Sequence, residues 1–239
     1  MKQLVEAYPD FLMLDPRDDN AVIWKKDGAR MQFDDGVSGK NLETMLTHPD
    51  LQDQMAMPYP KGAKYSIQKD YDPGRVRFEP FFEKMYGATE AQVRANLVTI
   101  YWLPHFGNQP LLVTRINGVD QKLQAISNEL DTLAKQPGKA YLLAYLKDPA
   151  GTFNWRDVAG TDRLSPHSFG IAIDINSTPA DYWQWAKGGA AAYHNQIPME
   201  IVKVFEKYGF IWGGKWYHYD TMHFEYRPEL LMNQSGTTG

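Results

Sequence analysis

Apolar and polar positions alternate with several different periods along this chain, and each change of period predicts an element. Val119, Leu123, Ile126, Leu130 and Leu133 follow one another at spacings of 4, 3, 4 and 3. That rhythm puts them on one face of a helix, which Gln136-Pro137-Gly138 then stops. Upstream, "VTIYWL" (Val98–Leu103) and "PLLVTRI" (Pro110–Ile116) are dominated by β-branched and aromatic residues and predict strands. Asn117-Gly118 marks a turn after them. "AYLLAYL" (Ala140–Leu146) reads as a further strand ended by Asp148-Pro149. Thr89 and Gln92 fit a capping box that starts a helix before Val93 and Leu97. Pro198 suits the first turn of another helix, running through Tyr208 and closed by Gly209.

The period falls to two in "SPHSFGIAIDIN" (Ser165–Asn176), where Ile171, Ile173 and Ile175 alternate with Ala172, Asp174 and Asn176. In a strand the isoleucines face one side and Ala172 with Asp174 the other. An isoleucine face buried in a core would leave Asp174 projecting into a cleft, with the small Ala172 making room beside it. Gly170 permits a bend just before, and His167 sits on the loop leading in.

Before Gly87 the pattern is broken by Pro, Gly and Asp clusters, which predict irregular structure. Tyr65, Phe78, Phe81 and Phe82 within that stretch predict that it packs on the main body. The expected class is α+β, because short strands and separate helices occur without a regular βαβ rhythm. The expected architecture is a small, mostly antiparallel sheet flanked by helices, with an irregular N-terminal extension over 1–85. The main body would span 86–232, and the small polar residues of 233–239 would form a loose tail.

Composition narrows the possible functions. The 239 residues carry a formal net charge of −4 with no Lys/Arg-rich block, so nucleic acid is not an expected partner. Cysteine is absent, which excludes disulfides, thiolate nucleophiles and Cys-type zinc sites. No apolar run is long enough to predict a membrane span. "MKQLVEAYPDFLML" lacks the apolar stretch of a signal peptide. Either the protein acts in the cytosol or Met1 follows a removed signal.

Six histidines remain as candidate ligands or bases. His48 in "THPD" reads as a cap or turn residue, and His105 and His194 have no carboxylate pattern beside them. His218 and His223 differ, because both lie in "WYHYDTMHFEYRP". There His223 and Glu225 share a strand face while Met222 and Phe224 take the other. Asp220 precedes His223 by three positions, so a strict strand would put the two on opposite faces. They can meet only if the chain bends or the strand starts at about Thr221. A catalytic zinc usually takes three protein ligands from His, Asp and Glu and keeps a position open.

Together, "SPHSFGIAIDIN" and "YDTMHFEYRPE" resemble the M15 peptidases, the D-alanyl-D-alanine carboxypeptidase and L-alanyl-D-glutamate peptidase group. The family pattern is Ser-x-His-x-x-Gly-x-Ala-x-Asp, followed later by Asp or Glu three residues before a His. Ser165, His167, Gly170, Ala172, Asp174, Asp220 and His223 fit it without a gap. "EKYGFIWGGKW" (Glu206–Trp216) also looks like the family's Gly-Phe-x-Trp-Gly-Gly segment. The resemblance is clear from about Asn154 to Leu230, weaker back to about Gly74, and absent before that.

The resemblance implies Zn²⁺ on His167, Asp174 and His223, with Asp220 as general base. Two neutral imidazoles and one carboxylate leave the ion net positive, able to acidify water and polarise a carbonyl. It implies an arginine for the substrate carboxylate. Arg156 is favoured over Arg163, with Ser165 near the substrate and Trp212 and Trp216 walling the cleft. Glu225 would hold a ligand imidazole or stand exposed as a partner for Arg227. The implied substrates are peptidoglycan stem peptides, which places the protein in the periplasm or outside the cell. The alternative is a zinc-containing module that binds cell-wall peptides without turnover.

Overall fold

The computed structural model describes residues 1–231. The tail expected over 233–239, and the last residue of the expected body, lie outside the described residues. Order begins earlier than the Pro/Gly/Asp clusters suggest. Helix α1 (Lys2–Ala7) precedes three short strands, β1 (Leu12–Leu14), β2 (Ala21–Trp24) and β3 (Arg30–Gln32). They form an antiparallel sheet in which Leu12 pairs with Trp24 and Val22 with Met31. Buried Leu12, Ala21, Val22 and Trp24 hold it against the rest of the molecule. The turns between these strands supply the Pro, Gly and Asp residues, so those clusters mark hairpins here. Helices α2 (Leu42–Thr47) and α3 (Leu51–Gln54) follow, each started by an Asx cap, at Asn41 and Asp50.

Residues 55–78 form neither helix nor strand and run as a strap to α4 (Glu79–Tyr86). A strap survives without a ladder only if its polar groups find other partners. Here Tyr59 N–H donates to the Leu230 carbonyl, and the buried Lys215 ammonium donates to the Pro60 and Gly62 carbonyls at 2.6 and 2.7 Å. Phe81 and Phe82 of α4 are fully buried and join the core that also holds Leu4, Tyr8, Phe210 and Leu230.

Helix α5 (Glu90–Arg94) starts at the expected cap, with the Thr89 side chain accepting from Gln92 N–H. It is only five residues long. Gln92 turns back to the Ala88 N–H rather than to Thr89, and Leu97 already belongs to the next strand. Strands β4 (Leu97–Trp102) and β5 (Gln109–Thr114) form where composition predicted strands, and they pair antiparallel. Helix α6 (Val119–Ala134) buries the predicted face of Val119, Leu123, Ile126 and Leu130.

One predicted strand is helical. Ala140–Leu142 is a 3₁₀ turn that continues into helix α7 (Leu143–Leu146). Leu142 and Leu146 are its fully buried leucines, four positions apart, while Tyr141 is exposed. Four-residue spacing belongs to a helix, and a continuous apolar run cannot separate the two periods.

The sheet that matters for function has three strands in the order β6 (Ala172–Asp174), β8 (His223–Tyr226), β7 (Phe210–Trp212), all antiparallel. Helix α8 (Met199–Lys207) packs on one face, where its Phe205 ring stacks on Phe224 at 3.8 Å between centroids. A final turn, α9 (Pro228–Leu231), returns to the N-terminal segment: the Tyr8 hydroxyl donates to the Glu229 carboxylate at 2.7 Å.

Candidate functional site

The antiparallel register explains how residues 49 positions apart come to face each other. Asp174 lies directly opposite His223, and Ala172 opposite Glu225. Residues directly opposite on paired strands project to the same side of the sheet. Ile173 and Phe224 occupy the other side, in the core. The alternation read from the sequence therefore sends Asp174 and His223 into one cleft.

His167 reaches that cleft from a 3₁₀ turn, Pro166–Phe169. Ser165 caps the turn by accepting from His167 N–H, and Pro166 presets its first position. Gly170 closes it at φ +67°, in the left-handed region. A Cβ there would also lie 3.0 Å from the Thr114 amide nitrogen, whose N–H donates to the Gly170 carbonyl. Glycine is thus required twice, and the turn is fixed to the end of β5.

Each imidazole is oriented by the nitrogen that does not face the cleft centre. His167 Nδ1 lies 2.5 Å from the Thr152 carbonyl, so it carries the proton and leaves Nε2 free. His167 Nε2 faces Asp174 Oδ2 at 3.2 Å and His223 Nδ1 at 3.3 Å. His223 Nδ1 is 2.9 Å from Asp174 Oδ1, while its Nε2 is 3.0 Å from Glu225 Oε2. One ligand atom from each of His167, Asp174 and His223 lies within 4.8 Å of the other two. Ligand-type atoms so close, each braced by an outer partner, fit a metal ion. The rear partner of His223 is buried in turn: Glu225 Oε1 accepts from Arg227 Nη1 at 3.0 Å. Glu225 thus contacts both His223 and Arg227, and it does so fully buried rather than as an exposed partner.

Asp220 stands just before β8, where its N–H donates to the Gly213 carbonyl. This is the bend that the three-residue spacing demanded. Its Oδ1 is enclosed and has no hydrogen-bond partner among the described residues. Burial, then the neighbouring Asp174 charge, push its pKa up to about 6. Burial acts upward on Asp174 too, but the two imidazoles, His167 foremost, outweigh it and hold that carboxyl far below the usual range. Two carboxylates in one cleft are thus split, one firmly ionised and one poised near neutrality, as acid–base chemistry requires.

In the metal-free molecule His223 is an imidazolium between two carboxylates. Burial opposes the charge, yet the Asp174 and Glu225 bonds prevail and raise its pKa to about 10. Metal coordination needs the Nδ1 lone pair, so binding must expel that proton. Between about pH 7 and 9, uptake of a divalent ion should release about one proton per site, and the release should vanish above pH 10. Calorimetry in buffers of different ionisation enthalpy measures this; no release at pH 7.5 would contradict the ion pair.

The cleft has a volume of about 260 Å³, and Ser165, Asp174, Asp220 and His223 are among its lining. Arg156 lines it as well, with its N–H held by Ser168 Oγ at 2.9 Å. Two other expected substrate contacts are not among the residues that line this cleft. Arg163 turns away and donates to the Arg75 carbonyl at 3.1 Å, tying the strap to the loop before His167. Trp212 is fully buried, because its register partner is Phe224 and so it points to the core side of the sheet. Its indole N–H donates to the Thr221 carbonyl. Trp216 takes the wall position instead.

Among the lining residues that the sequence reading missed are Arg75 and Arg77 from the strap, and Tyr182 from the loop before α8. Outside the cleft, His218 is locked on Asp72 at 2.6 Å and His105 on Asp131 at 2.8 Å, partners 146 and 26 positions away. A second acidic group, Asp34, Asp35 and Asp50, is served by a cation of the chain itself. The Lys40 ammonium lies 2.7 Å from Asp35 and 2.6 Å from Asp53.

Residues 159–226 match the family described as D-alanyl-D-alanine carboxypeptidase. This segment is of the M15 peptidase type. It spans all three metal-ligand candidates and Asp220, and supports a peptidase acting on peptidoglycan-like substrates. Neither curated proteins nor solved structures gave a match.

Proposed function

We propose that the protein is a zinc metallopeptidase that hydrolyses peptidoglycan stem peptides, at either the D-Ala-D-Ala or the L-Ala-D-Glu bond. The observation that carries this reading is the pairing of a braced His167–Asp174–His223 group with an unpartnered, pKa-raised carboxyl at Asp220. A structural metal site has no use for a fourth carboxyl left without a partner beside it. That favours turnover over the binding-module alternative.

Zinc held by His167 Nε2, Asp174 and His223 Nδ1 would supply Lewis acidity, polarising the scissile carbonyl and lowering the pKa of water. The residues of the chain do the rest. Asp220 Oδ1 takes a proton from the attacking water as its oxygen joins the carbonyl carbon. The same carboxyl then gives the proton to the departing amine nitrogen as the C–N bond breaks. Arg156 holds a substrate carboxylate through its planar fork. His167 and His223 keep their orientation through Thr152 and Glu225. Peptidoglycan lies outside the inner membrane, so action in the periplasm or outside the cell is part of the proposal.

Metal content and product analysis test it. The full chain should carry one zinc per molecule and lose it in His167→Ala, with loss of peptide hydrolysis. A pentapeptide ending in D-Ala-D-Ala, beside a muropeptide bearing L-Ala-D-Glu, would identify the bond by the released fragment. Zinc-loaded protein that releases neither fragment would overturn the peptidase reading.

A further inference from the structure

The cleft is not completed by the segment that matches the family. Its lining also includes Arg75, carried by the strap some 80 positions before that segment begins. The strap holds this arginine in a built cradle. Asp72 accepts from the His218 N–H at 2.8 Å and faces its ring Nδ1 at 2.6 Å. The His218 carbonyl in turn accepts from Arg75 Nη2. The Arg75 guanidinium lies over the Trp216 ring, 4.6 Å from its centroid. Its orientation is therefore set before any ligand arrives, which is the condition for strong recognition by a planar fork.

Arg75 has capacity left over. Its Nε is buried without a hydrogen-bond partner among the described residues. Neither Arg75 nor Arg156 forms an ion pair there, whereas Arg30, Arg94 and Arg227 each hold a carboxylate. The two guanidiniums line the cleft from different segments: Arg156 from the loop that Ser168 braces, with its Nη1 donating to the Asp157 carbonyl at 3.2 Å, and Arg75 from the strap. Arg77, beside them, is spoken for: its two Nη groups donate to the Gly74 and Leu164 carbonyls. A buried charged donor without an acceptor is unfavourable, and an anionic ligand group is what relieves it.

The geometry points to Arg75 as a second carboxylate-binding residue, so that the cleft selects peptides bearing two carboxylates, one for Arg156 and one for Arg75. This rests on the peptidase reading and names its substrate class: acidic oligopeptides rather than any peptide with a free C-terminus. The competing role for Arg75 is to offset the charge of Asp220, on which it acts as a nearby cation. That role would be indifferent to carboxylates on the substrate.

Three synthetic pentapeptides separate the two. The parent is L-Ala-γ-D-Glu-L-Lys-D-Ala-D-Ala, with free carboxylates at D-Glu and at the C-terminus; the others carry an amide at one or the other. With the zinc-loaded full chain, each amidation should lower kcat/KM about 10- to 100-fold, the span of one charge-assisted contact. Arg75→Gln should become insensitive to one amidation and keep its response to the other, and Arg156→Gln should show the opposite pattern. Equal loss on all three peptides in Arg75→Gln, or wild-type indifference to one amidation, would overturn the proposal. Calorimetric binding of the same peptides to the Asp220→Asn protein repeats the comparison without turnover. If wild type hydrolyses none of the three, the peptidase reading fails, while the affinity differences still decide the role of Arg75.

Discussion

Asp220→Asn should lower kcat/KM by about 10²- to 10⁴-fold, the usual range for losing a positioned acid–base group. Zinc content should be unchanged, because Asp220 is not among the three residues whose ligand atoms converge. The same substitution should stabilise the metal-free protein at neutral pH. The folded-state pKa of Asp220 is raised from 3.8 to about 6, so the folded chain holds this proton more tightly than the unfolded chain. Its favourable contribution is therefore full below pH 3.8 and is lost as pH rises through about 6. At pH 7.5 the wild type carries an enclosed carboxylate oxygen without a hydrogen-bond partner among the described residues. Asparagine removes that charge and should recover on the order of 2 kcal/mol. The gain should fade below about pH 4, where both chains are neutral at this position. Denaturant unfolding of both metal-free proteins at pH 4 and 7.5 measures this. A variant that is less stable at both values would show that Asp220 is held by contacts, with no strain stored for chemistry.

How much of this site could be read before the structure depends on sequence distance. The period-two run around Asp174 and the bend before His223 are local, and both hold in the fold. The convergence of His167, Asp174 and His223 is visible because the two halves of the group each carry a short, spaced pattern. The facing of Trp212 is set by its pairing with Phe224, a register choice that local pattern does not contain. Ala140–Leu146 becomes a 3₁₀ turn and helix because buried leucines at four-residue spacing satisfy a core that only tertiary packing defines. Arg75 is the hardest case. Its cradle joins Asp72 to His218 across 146 positions, and the "DPGRVRF" around it looks like ordinary loop. Burial of a strap depends on what it lies against, and nothing within the strap records that.

Arg227→Ala should be the most destabilising single substitution near the site, by about 3–5 kcal/mol in the metal-free protein. Arg227, Glu225 and Glu229 are all fully buried. The guanidinium donates from Nη1 to Glu225 at 3.0 Å and from Nε to Glu229 at 2.5 Å, and Nη1 also reaches the Gly74 carbonyl at 2.8 Å. Removing it leaves two buried carboxylates without the cation they share. Burial favours a protonated Glu225, and losing Arg227 removes part of what opposes it. At present the His223 bond, with Arg227 next, outweighs burial and holds the Glu225 pKa at about 2. A protonated Glu225 braces the His223 ring less well, so zinc affinity should fall about 10- to 100-fold as well. The two effects have different reach. Tyr8→Phe breaks only the far end of the network, the bond to Glu229, and should cost about 1 kcal/mol with zinc affinity little changed. Unfolding in denaturant and competition with a zinc chelator, run on both variants, separate stability from metal support. If Arg227→Ala destabilises by less than about 1 kcal/mol, the buried carboxylates are relieved by water or relaxation. If it does so with zinc affinity intact, the orientation of His223 does not depend on the N-terminal segment that Glu229 anchors.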